Sequence, residues 1–211
     1  MSRALKITGW LLMMMLASLI ALVSLRFFFL RPEVASGPPL GEHFAARLPL
    51  LLAHVSGGVL ALVLGPWQFW AGLRDRALRA HRWVGRVYLC AILLGGVAGL
   101  ALAVMAFGGL ATQTGFGGLA LGWLVTGVMA YVRVRQGDFE AHREWMIRNY
   151  ALTFAAVTLR LWLPLMTVAG LPFITAYTIV AWLSWVPNLL TAELYLKLKR
   201  SRAVLARGYA V

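Results

Sequence analysis

Six long apolar runs, separated by short polar or glycine-rich connectors, make up almost the whole chain. A run of 18 or more apolar residues marks a bilayer-spanning helix, because about 20 residues rising 1.5 Å each cross the ~30 Å hydrocarbon layer. The pattern predicts spans at about 7–29, 47–71, 84–107, 115–134, 146–168 and 172–196. The connectors "RPEVASGPPLGEH", "FGGLATQTGFGG" and "AGLP" carry the glycines and prolines that end helices, so each is expected to be a loop. The predicted architecture is an all-α, polytopic membrane helical bundle, a single integral membrane domain over 1–211. Its first apolar run follows a basic start, as in a signal peptide. At about 19 residues it exceeds a signal h-region and no small-residue cleavage site follows, so it is expected to stay as a span.

Composition supports the bilayer as solvent. The chain is 61% hydrophobic and only 13% charged, with a mean hydropathy of +0.79. Soluble domains are about half apolar and about 25% charged. The net charge of +13 would suggest nucleic acid in a soluble protein. Here the basic residues sit between apolar runs and no nucleic-acid reading module is present, so nucleic-acid binding is excluded and the lipid bilayer is the partner. The single cysteine, Cys90, lies inside an apolar run, which rules out an intrachain disulfide and any cysteine-histidine metal motif.

Charge also orients the spans. One side holds Arg3 and Lys6, then Arg74, Arg76, Arg79, Arg82 and Arg86, then Arg133, Arg135, Arg143 and Arg148, then Lys197, Lys199, Arg200, Arg202 and Arg207. The other holds only Arg26, Arg31 and Arg47. Both termini are therefore expected in the cytoplasm. Two of the basic stretches resemble each other: "RAHRWVGRVYL" (79–89) and "EAHREWMIRNYAL" (140–152), with His81 and His142 61 residues apart. A two-helix repeat over 47–107 and 115–168 would produce this, and so would shared interfacial constraints.

Ionisable residues at membrane depth are costly and mark candidate sites. His54 falls about seven residues inside the second span, roughly 10 Å deep, and Arg160 at a similar depth in the fifth. His81 and His142 open the third and fifth spans, with Arg86 and Arg148 slightly deeper and Glu193 at the same level as a partner for one arginine. Gly57, Gly58, Ala61 and Gly65 line one face after His54, and Gly85, Tyr88, Gly95 and Gly99 continue near the face of His81. Small residues beside a histidine leave room for a flat macrocycle, so two imidazoles and nearby arginines describe a b-type haem with its propionates. The plainer reading is a helix-packing seam for the glycines, headgroup anchors for the arginines, and an interfacial role for His43. No HExxH, GxSxG or phosphate-loop motif is present.

The stretches "HVSGGVLALVLGPWQFWAGLRDRALRAHRWVGRVYL" and "AHREWMIRNYALTFAAVTLRLWLPL" resemble a bacterial family of predicted membrane proteins, domain of unknown function 2306, over roughly residues 48–196. The positions carrying the resemblance include His54, Gly65, Gln68, Arg74, His81, Gly85, Arg86, Tyr88, His142, Arg148 and Arg160. It implies a multi-pass protein of the bacterial inner (plasma) membrane. A looser likeness is to cytochrome b561 and ferric reductase bundles. Their two histidines commonly stand thirteen or fourteen residues apart on one helix, whereas His43 and His54 are eleven apart, and the run at 115–134 has no histidine.

Two functional readings follow. The first is transmembrane electron transfer through one or two b-type haems, with His81 and His142 as axial ligands of the inner haem iron. In this reading Arg86 and Arg148 contact propionates or a quinone, Tyr88 and Gln68 line the site, and His54 with Arg160 forms an outer site. The second is a non-enzymatic binding or transport protein whose His/Arg pocket takes an anionic lipid headgroup or a small anion.

Overall fold

A computed structural model describes residues 3–208, and among them the chain is helical, with no strand. The helices are α1 (Arg3–Ser24), α2 (Arg26–Phe29), α3 (Pro32–Ser36), α4 (Leu40–Ala45), α5 (Leu48–Phe69) and α6 (Ala71–Arg76). They continue with α7 (Leu78–Val104), α8 (Leu110–Arg135), α9 (Phe139–Thr153), α10 (Ala155–Val168), α11 (Phe173–Leu183) and α12 (Val186–Gly208). Six segments are long and apolar enough to cross a membrane: Ile7–Phe29, Leu48–Phe69, Leu78–Val104, Leu110–Arg135, Phe139–Val168 and Phe173–Arg202. Of the basic residues used to orient the chain, Arg3, Lys6 and Arg207 have side chains outside the described set.

The six spans match the predicted count, but several boundaries differ. The third span begins at Leu78 and the fifth at Phe139, because the His-Arg stretches are already helical before the apolar runs start. The long glycine-rich connector is not a loop along its whole length. Only the stretch around Gly108 (φ +100°) and Gly109 (φ +82°) turns, and α8 begins at Leu110. Gly115 serves close packing, since a Cβ there would stand 2.9 Å from Ala181 and from the Trp182 ring nitrogen. The first connector also folds: α3 and α4 lie over one end of the bundle, where Leu40 and Phe44 pack with Phe107, Tyr177 and Phe173. Within that cap, burial and the neighbouring Arg47 charge hold the His43 imidazole below its ordinary pKa.

Helices α5, α7, α8 and α9 form the inner bundle. α5 packs along α7, and α8 packs against both α7 and α9. At the tightest point a Cβ on Gly57 would collide with the Ala91 carbonyl and stand 2.5 Å from the Gly95 amide. The glycine stripe is therefore a backbone-to-backbone seam at this level. Gly65 is a notch for the Tyr150 ring, and Gly99 is a notch for the His54 ring, whose Nδ1 lies 2.7 Å from where a Cβ would be. Pro66, next to Gly65, cannot donate to the Leu62 carbonyl four residues back. The Tyr150 hydroxyl donates to that carbonyl at a long 3.4 Å. The "GP" dipeptide thus builds one tyrosine seat.

Two spans are interrupted at the same level: the fifth at Phe154, the sixth at Ser184 and Trp185. Pro187 removes a ladder bond from the sixth. The adjacent Ser184 carbonyl, at the break itself, takes side-chain donors: the Thr158 hydroxyl (2.5 Å) and the Asn188 amide (3.0 Å). Side chains left on the outer faces, among them Leu12, Leu19, Leu93, Leu94 and Val97, are large and apolar, as a lipid-facing surface requires.

The seam sets a stability test. Gly57→Ala is expected to cost about 1–3 kcal/mol through overpacking. Gly58→Ala, one residue on with nothing within 4 Å of its Cβ position, should be neutral or slightly stabilising. Thermal unfolding of both variants in one detergent, followed by size-exclusion recovery, checks the pair; equal melting temperatures would refute the seam.

Candidate functional site

A polar layer crosses the middle of the inner bundle. The Tyr88 hydroxyl on α7 donates to Asn149 Oδ1 on α9 at 2.7 Å and lies 3.1 Å from Thr153 Oγ1. Asn149 donates through Nδ2 to the Trp123 carbonyl (2.8 Å) and to Thr126 Oγ1 (2.9 Å) on α8. Trp123 Nε1 donates to Thr153 Oγ1 at 2.8 Å. Tyr88 and Asn149 are fully buried. Tyr88 was expected to line a cofactor site; its hydroxyl is instead committed to this network.

The Tyr88–Asn149 pair spans 61 residues, the same interval as His81–His142. α7 and α9 thus run parallel and in one register, with the histidines seven residues nearer the chain's basic end. There the two imidazoles approach closely enough for the charge of one to act on the other. His142 Nδ1 donates to the Ala130 carbonyl on α8 at 2.8 Å, which places its lone pair on Nε2. Gln68 from α5 lies against Gly85, one turn above His81; a Cβ on Gly85 would stand 3.1 Å from Gln68 Oε1. Arg133 extends from α8 one turn beyond Ala130. Three buried polar atoms at this end have no hydrogen-bond partner among the described residues: Gln68 Nε2, His81 Nδ1 and Arg133 Nε. Arg133 also donates through Nη1 to Gln136 Oε1 at 3.2 Å, so its guanidinium is engaged on one side.

The two arginines expected beside the histidines point elsewhere. Arg86 is exposed and stacks on Trp83 at 4.9 Å, on the opposite face of α7 from His81 and Gly85. It follows His81 by five residues, which turns it about 140° around the helix. Arg148 is tied to Glu193 (Nε–Oε1 2.5 Å, Nη2–Oε2 3.0 Å) and approaches Glu144 at 3.9 Å. Glu193 thus has the arginine partner foreseen for it. Glu144, 8% exposed, is the buried acid that the sequence reading missed, and Arg200 of α12 grips it through both nitrogens. Its spacing of four from Arg148 was the available signal. Arg133 and Asn149 were missed as well.

At the other end, His54 and Arg160 are brought near each other, close enough for the Arg160 charge to act on the ring. His54 Nδ1 donates to the Gly95 carbonyl at 2.8 Å. Arg160 donates to its own Ala156 carbonyl and to Ser24 Oγ, both at 3.0 Å, and pairs with no carboxylate among the described residues. His43, in the cap, stands 3.4 Å from Arg47. No group of three or more metal-ligating side chains occurs among the described residues.

Fold and site together define a multi-pass helical membrane protein with a histidine pair at its basic end. The chain belongs to the family of predicted membrane proteins designated DUF2306, whose match covers residues 51–196. No curated protein and no solved structure matches it. The likeness to cytochrome b561 and ferric reductase bundles gains no support from these comparisons.

The polar layer gives the second prediction. Tyr88→Phe keeps the ring and deletes one hydroxyl, so it should destabilise by about 1 kcal/mol, the scale of a hydrogen bond within a membrane bundle. Asn149→Leu, which strands several partners at once, should cost more. Thermal unfolding in detergent checks the order; a Tyr88→Phe loss larger than that of Asn149→Leu would contradict it.

Proposed function

We propose that this is an electron-transfer protein of the bacterial inner membrane, with its basic end in the cytoplasm and one b-type haem held by His81 and His142. One observation carries this reading: at one end of the bundle His81 on α7 and His142 on the parallel α9 lie within electrostatic reach of each other, at a level where buried polar atoms have no partner among the described residues. The residues present fit such a group. The Ala130 carbonyl fixes the His142 tautomer and makes Nε2 a better ligand, the usual support given to a ligating histidine. Gln68 Nε2 and Arg133 Nε are donors of the kind propionate carboxylates accept, and they replace Arg86 and Arg148 in that role. Gly85 removes a side chain one turn above His81. The Tyr88–Asn149 layer closes the pocket against the rest of the bundle. Bound there, a haem supplies a one-electron iron couple tuned by its axial ligands and surroundings, within reach of a quinone or other redox partner at the cytoplasmic surface.

The outer half does not fit a second haem. The His54 ring fills the Gly99 notch, its Nδ1 is bonded to Gly95, and no second imidazole stands beside it among the described residues. A single group at the basic end is therefore the form proposed. The second reading, binding of a small anion or an anionic headgroup without electron transfer, is favoured by Arg160, a cation within the bundle that has no counter-charge among the described residues.

An absorption spectrum of detergent-purified protein from a haem-replete host separates the two readings. The expected result is a Soret band and a dithionite-sensitive α-band, both lost in His81→Ala and in His142→Ala and kept in Arg86→Gln. A colourless preparation ends the haem reading.

A further inference from the structure

We propose that the outward face of α7 is a binding site for an anionic phospholipid, with Arg79, Arg82 and Arg86 holding the phosphate and the apolar face beyond them holding an acyl chain. This does not require a cofactor at the histidines: His142 stands on α9, and His81 is turned about 100° or more around α7 from each of the three arginines. Leu78, Arg79, Arg82, Trp83 and Arg86 line a cleft of about 340 Å³. The three arginines fall at i, i+3 and i+7, one face of a helix. All are exposed, and none is paired with a carboxylate among the described residues. Some other basic residues at this end are paired with carboxylates: Arg148 with Glu144 and Glu193, Arg200 with Glu144, Arg74 with Asp75 and Lys199 with Glu140. On the outward face of α7 three guanidinium groups without a carboxylate partner among the described residues stand within about two turns of helix.

The geometry favours a lipid over a soluble anion. Trp83, 59% exposed, lies under the Arg86 guanidinium at 4.9 Å, and an indole at this level suits the headgroup region. The face continues along α7 through exposed Val87, Cys90, Leu94 and Val97, an unbroken apolar strip leading away from the cleft. A phosphate diester with attached chains matches both parts: its charge meets the arginines and its tail follows the strip. A free phosphate uses only the first part.

The test uses the full chain in nanodiscs of phosphatidylcholine containing up to a third phosphatidylglycerol, with retained lipid quantified after exchange into detergent. Wild-type protein should retain phosphatidylglycerol preferentially. Each arginine changed to glutamine should weaken that preference about fivefold, given the usual attraction per basic residue at an anionic surface. The pair Arg135→Gln and Arg143→Gln removes charge at the same end but off this face, and should leave the preference intact. A bromolabelled phosphatidylglycerol should quench a fluorophore on Cys90, the single cysteine, more strongly than bromolabelled phosphatidylcholine does. Equal retention of the two lipids, an equal loss in the Arg135/Arg143 control, or full competition by glycerol phosphate would each overturn the proposal.

Discussion

A bilayer offers no water to an unmet polar group, so every donor and acceptor at membrane depth must find its partner inside the protein. Asn149 meets that constraint for much of the inner bundle. Its amide joins α7, α8 and α9 through Tyr88, the Trp123 carbonyl and Thr126 in one connected set of bonds. Hydrophobic attraction does not select one helix arrangement over another in lipid, where the tails are as apolar as leucine. Directional bonds and close backbone contact do. Asn149 supplies the first and the Gly57–Gly95 contact the second, and together they fix where the histidines stand.

How far the fold was legible can be judged residue by residue. Six apolar runs were visible because length and hydropathy alone define a span. Gly115 looked like a loop residue because glycine both breaks helices and lets them touch; only the neighbouring Ala181 and Trp182 decide between those uses. The cap over residues 32–45 was hidden for a similar reason: its prolines and glycines describe a connector, while the surface it covers comes from Phe107 and Tyr177, far along the chain. Breaks near Phe154 and Ser184 were also out of reach, since the Ser184 carbonyl is met both by Asn188 of its own span and by Thr158 of another.

The site was legible in part. His81 and His142 stood out because histidine is rare in this chain and the interval of 61 repeats. Reading their arginine neighbours as site residues failed for a rotational reason. A step of five or six residues carries a side chain well around the helix, so Arg86 and Arg148 sit beside the histidines in sequence and away from them in space. The interior basic group, Arg133, comes from α8 and has no histidine near it in the chain. Glu144 shows the converse: a carboxylate next to a motif, buried because an arginine from a distant helix reaches it.

The two ends of the bundle are built differently, and this gives the molecule a direction. At one end α4, backed by α3, packs Leu40 and Phe44 with Phe107, Phe173 and Tyr177 and covers the helix ends there. At the other, His81 and His142 stand in the first turns of α7 and α9, beside the short α6 and the basic residues of this end. The two ends therefore meet their surroundings through different surfaces, aromatic rings under short helices at one and a dense set of cations at the other.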